Sequence, residues 1–171
     1  IRMLILTAQR RNEVSEMAWD ELDLDNNQWG IPSSRTKNEK PHTVHLSEQA
    51  AAVVSDISGI ASFVFTSNGK TPFSGFSKSK KRLDELSGVS EWRLHDIRRT
   101  VTSGMAQLGI RPHIADKILN HQSGTISGVA AVYQRHKFLK ERKTALNAWG
   151  NYVQSLLDKT DRDNVVNIQD R

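Results

Sequence analysis

Between Leu22 and Leu46 the hydrophobic pattern of the chain switches from the period of helices to the period of strands. "LDLDNNQWGIP" carries short strand signals on either side of an Asn-Asn turn, and "HTVHLS" alternates as a returning strand. Between them "SSRTKNEKP" is polar, carries no core residues and fits a loop or hairpin tip. A small antiparallel sheet of two or three strands follows from these pieces. The rest of the chain is helix-like, apart from "ASFVFTS", a short extended apolar run, and a turn-rich connector "NGKTPFSGF". The expected fold class is therefore α+β, mainly α-helical, with one small antiparallel sheet.

The helices announce themselves by their caps. "TAQRRNEVSEMAW" is predicted as one helix with Thr7 as N-cap, and "SEQAAAVVSDI" as another capped by Ser47. "SKSKKRLDELSG" is a basic helix ending at Gly88, and "RLHDIRRTVTSGMAQLG" is stopped by Gly109. "RPHIADKILNH" has Pro112 in its first turn. "TISGVAAVYQRH" is a weaker helix. "FLKERKTALNAWGNYVQSLL" is long and amphipathic, with Phe138, Arg142, Ala145, Trp149, Tyr152 and Leu156 on one face. That face is expected to pack on its own domain or on a neighbouring protomer. Residues 1–157 form one domain on this reading, and 158–171 a polar, frayed tail.

Composition narrows the chemistry. The 171 residues hold 24 Lys plus Arg against 19 Asp plus Glu, a net charge of +5, which makes a polyanion a reasonable partner. There is no cysteine, so disulfides, thiolate zinc sites and a Cys nucleophile are excluded. No apolar run approaches the roughly 18 residues a membrane span needs. The chain opens at Ile1, without an initiator Met and inside the apolar run "IRMLIL". We expect it to be a piece of a longer protein with upstream domains.

Several polar residues could carry chemistry, and each has an ordinary reading when taken alone. His95 and Arg98 stand one helical turn apart in "LHDIRRT", as surface charges or as two donors aimed at one phosphate. Arg10, in "QRRNEV", could be solvated or paired with Glu13. Lys37 lies in the polar hairpin tip, with Lys40 nearby. His121 could cap a helix end, and Tyr133 could be a core aromatic. His42 and His45 fall on opposite faces of one strand, which argues against a metal site there. Lys70, Lys78, Lys80, Lys81 and Arg82 lie in a stretch without an acid, as solvated charges or as DNA phosphate contacts, and Arg99 and His136 are further candidate contacts.

Taken in order, "TAQRRNE", "RTKNEKPHTVHLS", "HDIRRT", "LNH" and "AVYQRH" resemble the catalytic domain of the tyrosine recombinases, the phage integrase family. The family pattern is Arg in "TGxRxxE", Lys in a β-hairpin, "HxxR", "LGH" and then a nucleophilic Tyr. The resemblance runs from Ile1 to Trp149 and is nearest to integrases of prophages and genomic islands. It implies the DNA breaking-rejoining fold and the catalytic set Arg10, Lys37, His95, Arg98, His121 and Tyr133. Glu13, three residues on, selects Arg10 over Arg11. Lys37 is preferred to Lys40 as nearer the hairpin tip, and the choice between them stays open. The implied reaction is attack of Tyr133 on a DNA phosphodiester, giving a 3′-phosphotyrosine and a freed 5′-hydroxyl, with no metal or other cofactor.

Two departures stand out: Ala8 and Asn120 occupy positions where the pattern has Gly. A third is the Gly- and Ser-rich stretch between His121 and Tyr133, which is longer than in many relatives and is expected to flex. The implied partners are double-stranded attachment-site DNA, further copies of the chain in a homotetramer, and an excisionase or host architectural protein. The implied location is the bacterial cytoplasm, on DNA and not in a membrane. A type IB topoisomerase-like relaxation and a non-catalytic DNA-binding module are the competing readings.

Overall fold

The computed structural model describes residues 1–57, 59, 61–121 and 137–163, with side chains up to 159. Within these residues lie seven α-helices of our numbering and a three-stranded sheet. They are α1 (Arg2–Thr7), α2 (Arg11–Ser15), β1 (Leu22–Asp23), β2 (Gln28–Ile31), β3 (His42–His45), α3 (Glu48–Ser55), α4 (Phe76–Ser87), α5 (Asp96–Gln107), α6 (Pro112–Ile118) and α7 (Leu139–Asp163).

The sheet is antiparallel in the order β1-β2-β3, with Trp29 opposite both Leu22 and Val44 and Ile31 opposite His42. Alternation sends Trp29, Ile31, Val44 and His42 to the buried face. The expected small sheet is therefore present, with three strands. "ASFVFTS" forms no strand of its own and contributes one isolated bridge, Phe63 to Ala18.

The helix expected from Thr7 to Trp19 is reduced to α2, and the apolar run before it forms a separate helix, α1. Thr7 does not cap a helix; it ends α1 and returns its hydroxyl to the Met3 carbonyl (2.6 Å). Ala8 then adopts a left-handed conformation (φ 57°), and Arg10 in extended conformation becomes the N-cap of α2. The break matters because it turns the Arg10 backbone out of α1 and toward the site. Ser47 does cap α3, accepting from the Ala50 N–H. Gly88 ends α4 in a left-handed conformation, and Pro112 is in the first turn of α6.

The core lies between α1, α3, the inner face of the sheet, α5, α6 and α7. Trp149 of α7 is buried in it and donates its indole N–H to the Ile5 carbonyl (2.8 Å). Close approach of α5 and α7 requires Gly104, because a methyl group there would overlap the Trp149 ring. The apolar face of α7 thus packs on its own domain, one of its two expected destinations. The helix continues past Leu157 to Asp163, so the polar stretch after 157 begins as helix.

The hairpin tip also differs from expectation, because it does carry buried groups. Arg35 donates to the Glu21 carboxylate (2.9 Å) and to the carbonyls of Glu13 (2.7 Å) and Glu16. Thr36 is buried, its hydroxyl donating to the Lys40 carbonyl (2.8 Å). A polar side chain can be interior when hydrogen bonds to nearby acceptors offset its desolvation, which hydrophobicity patterning does not register. Arg142 follows the same rule. It is buried with its guanidinium on the Thr43 carbonyl, tying α7 to β3, and burial lowers its pKa to about 10.

Candidate active site

The α1–α2 turn, the start of α4 and the turn before α5 enclose a cavity of about 520 Å³. Gln9, Arg10, Arg11, Asn12, Lys80, Arg93, His95 and Arg98 line it, and none of its lining residues is acidic. A concave surface ringed by cations, with its carboxylates held behind it, is suited to an anion.

Arg98 is the buried member, on α5. Its guanidinium donates to the Ala8 carbonyl and to the Leu119 carbonyl (2.8 Å), and Nη2 also contacts His121 Nε2 (3.3 Å). Burial, reinforced by the charge of Arg10, lowers its pKa to about 10, so it remains protonated at neutral pH. Glu13 opposes that shift. The Glu13 carboxylate is itself occupied by Arg10, accepting from its backbone N–H (2.8 Å) and from Nη1 (2.9 Å). Glu13 therefore fixes Arg10 and offsets part of the crowding between two guanidinium groups.

The state of His121 follows from its neighbours. An arginine nitrogen has no lone pair to offer, so His121 Nε2 must be the acceptor in this contact. The ring proton then resides on Nδ1, which faces the Asp116 carboxylate at 3.6 Å. Desolvation and then the Arg98 charge lower the His121 pKa, with Asp116 opposing, and the ring is neutral at pH 7. His95 stands exposed at the N-cap of α5, on the cavity wall. Asp96 holds that turn by accepting from the Arg93 N–H (2.8 Å).

The end of α6 is a junction. Helix C-termini leave carbonyls without intrahelical partners. Here the Ile118 carbonyl accepts from Gln9 Nε2 (2.9 Å) and from His42 Nε2 (3.1 Å), and the Leu119 carbonyl accepts from Arg98. His42 is consequently a donor through Nε2. Burial and then the Arg142 charge lower its pKa to about 3, so it is neutral at any ordinary pH. Next in the chain, Asn120 takes a left-handed conformation (φ 51°) and meets the hairpin tip, accepting from Asn38 Nδ2 (2.7 Å). Both positions where Ala8 and Asn120 replace the glycine of the pattern are left-handed in this fold.

The sequence-derived residues divide as follows. Arg10, His95 and Arg98 share the cavity, and His121 joins them through Arg98. Lys37 is exposed at the hairpin tip beside Asn38, and Lys40 is exposed on the same loop. Lys80 lines the cavity but is committed to Asp84 (2.5 Å) and to the Trp92 ring (4.5 Å). Lys78, Lys81 and Arg82 are exposed on α4, and Lys70 is exposed in the preceding loop. Arg99 is exposed and turned to Asp96 (3.2 Å). Tyr133 and His136 lie outside the described residues. The sequence reading missed Arg93 on the cavity wall and the buried supports Gln9 and His42. Arg93 carried no signal, because residues two apart on the helix predicted there do not face the same side; the Gln9 amide and the His42 ring look the same in sequence whether solvated or bonded.

These observations agree with comparisons to known proteins. A prophage integrase of Escherichia coli (strain K12), IntA, is 27% identical over 155 residues, covering 88% of this chain and 37% of the relative. A second from the same strain, IntZ, is 28% identical over 160 residues, covering 92% and 39%. The chain thus spans about two fifths of the length of these relatives. Among solved structures, the integrase from mycobacterium phage Brujita superposes with a TM-score of 0.66 at 15% identity, covering 85% of this chain and 49% of that one. XerA recombinase gives 0.58 at 19% (90% and 56%), and the Tn1549 transposon integrase in complex with transposon right end DNA gives 0.57 at 14% (81% and 57%). These likenesses establish the fold. The model of the phage integrase family matches residues 1–145, and with the cation-lined cavity, the Arg98–His121 pair and the small sheet already in place, the chain belongs to the phage integrase family.

Proposed function

We propose that residues 1–157 are the catalytic domain of a site-specific DNA recombinase that integrates or excises a prophage or genomic island. The observation that carries this reading is the buried, carbonyl-bonded Arg98 holding His121 beside a cavity that also presents Arg10 and His95. Donors fixed before substrate arrives stabilise the charge that develops on the equatorial oxygens of a phosphoryl transition state without reorganising. Tyr133 supplies the nucleophilic oxygen. The phenol proton passes to a nearby histidine as the Oη–P bond forms and the P–O5′ bond breaks, and Lys37 gives a proton to the departing oxygen. The phosphotyrosine conserves the phosphodiester energy, so a second 5′-hydroxyl can reverse the step on partner DNA. Strand exchange in this scheme takes place in a homotetramer on attachment-site DNA, with an excisionase or host architectural protein setting its direction.

The test is a labelled suicide substrate, incubated in EDTA and run on a denaturing gel. The chain forms a covalent adduct, and Tyr133→Phe forms none while binding DNA as before. An adduct that persists in Tyr133→Phe overturns the nucleophile assignment. Binding without any adduct identifies a non-catalytic module, and plasmid relaxation without strand exchange identifies a topoisomerase-like enzyme.

A further inference from the structure

The hairpin that carries Lys37 meets the helix end that carries His121 through a reciprocal pair of side-chain amides. Asn38 Nδ2 donates to Asn120 Oδ1 at 2.7 Å, and Asn120 Nδ2 reaches Asn38 Oδ1 at 3.4 Å, across 82 residues of sequence. Both side chains are half-buried, while Lys37 on one side of Asn38 and Glu39 on the other are exposed. The remaining polar contacts of Asn38 are local: its Oδ1 accepts from the Lys40 N–H (3.3 Å). Asn120 occupies a left-handed position (φ 51°) that glycine would adopt with less strain. A side chain is kept there at a conformational cost, and what that side chain touches is the hairpin tip.

The junction at α6 explains why the clasp has consequences. The carbonyls of Ile118 and Leu119 are bonded to Gln9, His42 and Arg98, so the residue that follows them is held in place relative to the phosphate-binding donors. A loop bonded to Asn120 inherits that position. We propose that Asn38 and Asn120 are positioning residues: their amide clasp places the Lys37 tip for proton delivery to the leaving 5′-oxygen. The proposal rests on the recombinase reading above. In the step concerned, the proton moves from Lys37 Nζ to O5′ as the P–O5′ bond breaks, leaving a neutral amine and a free 5′-hydroxyl.

The experiment compares single-turnover cleavage of two suicide substrates at saturating DNA. One has the natural bridging oxygen and the other a 5′-bridging sulfur, whose thiolate leaves without protonation. The proteins are the full chain, Asn38→Ala, Asn120→Gly, the double variant, Lys37→Ala and Lys40→Ala. Asn120→Gly suits the left-handed backbone, and its melting temperature checks that the fold is kept. We expect each Asn variant to cleave the oxygen substrate tenfold or more slowly and the sulfur substrate at the rate of the unsubstituted chain. The double variant should be no slower than the singles, since either substitution removes the same hydrogen-bonded pair. Equal slowing on both substrates would mean that the clasp supports the phosphate-binding donors instead, and overturns the proposal. No slowing on either overturns it too. If sulfur rescues the Asn variants and Lys40→Ala but not Lys37→Ala, Lys40 is the proton donor and the assignment of the clasp to Lys37 is overturned. If the unsubstituted chain cleaves neither substrate, the recombinase reading fails and takes the clasp with it.

Discussion

Near the end of α6 Arg98 is buried and bonded to main-chain carbonyls, whereas Lys78, Lys81 and Arg82 of α4 stand in solvent. Arg98 has its donors on Ala8 and Leu119, and desolvation has drawn its pKa down to about 10. Helix α4 has no buried residue; Lys78, Lys81 and Arg82 are exposed, and the helix is held through Phe76, which stacks under Arg11 (4.5 Å), and through Lys80 on Trp92 (4.5 Å). The two regions carry the same sign of charge for different ends. A buried cation held by main-chain carbonyls has a fixed direction and acts on one point in space. An exposed lysine has rotamer freedom and is screened within about 8 to 10 Å at physiological salt, so it contributes attraction without geometry.

The largest effect expected from this contrast is on chemistry at the buried pole. Arg98→Ala should lower the rate of covalent adduct formation by about 10²- to 10³-fold, the decrease typical of one preorganised donor. It also leaves the Leu119 and Ala8 carbonyls unsatisfied, at about 1–3 kcal/mol each in stability. Single-turnover cleavage beside urea denaturation separates the two effects. A cleavage defect no larger than that of an α4 variant would erase the distinction between the regions.

Next in size is a pH effect, also from the buried region. Above pH 6.5 His42 is neutral whether the chain is folded or not. As pH falls below 6.5 the unfolded chain takes up a proton that the folded chain refuses until about pH 3. Stability therefore falls through that window, by up to about 1.4 kcal/mol per pH unit from this group. His42→Gln retains a donor for the Ile118 carbonyl and removes the titration, so its urea midpoint should fall less steeply from pH 7 to pH 4.5. Parallel curves would show that the ring is protonated in the fold.

The exposed pole should answer to salt instead. Lys78→Ala, Lys81→Ala and Arg82→Ala together should weaken binding to all DNA sequences alike. Each phosphate left without its cation flattens the dependence of log K on log[salt] by about 0.9. Adduct formation at saturating DNA should stay near that of the unsubstituted chain. An unchanged salt slope would mean that α4 faces away from DNA.

The smallest effect returns to the buried region. Ala8→Gly relieves a left-handed alanine, worth about 1–2 kcal/mol. It also removes a buried methyl group and adds freedom to the unfolded chain, at about 0.5–1 kcal/mol each. The net change in stability should lie within about 1 kcal/mol, with cleavage unaltered. A decrease well beyond that would show that the Ala8 side chain, and not only its carbonyl, supports Arg98.

Much of this was legible in the sequence because it is local. Ser47, Gly88 and Pro112 act through their own dihedral angles and their own helix ends, so their positions mark α3, α4 and α6 without reference to the rest of the chain. The period-two alternation of "QWGI" and "HTVH" names the buried face of the sheet for the same reason. The order of Arg10, His95, Arg98 and His121 carried the resemblance to the family, since residue type and spacing survive as text. What the tertiary structure alone decided is non-local and polar. The break at Ala8 cannot be read from helix propensity, because alanine is the best helix former; in the fold its carbonyl accepts from Arg98, 90 residues away, and Gln9 beside it reaches the Ile118 carbonyl. Arg35 and Asn38 sit in a stretch whose composition is that of a solvent-exposed loop, and nothing in the text of the sequence shows which partner the Gln9 amide or the His42 ring meets. Whether such a side chain meets water or a distant carbonyl depends on which elements the core brings together, and hydrophobic burial, which has no direction, leaves that to hydrogen bonds that exist only once the chain has folded.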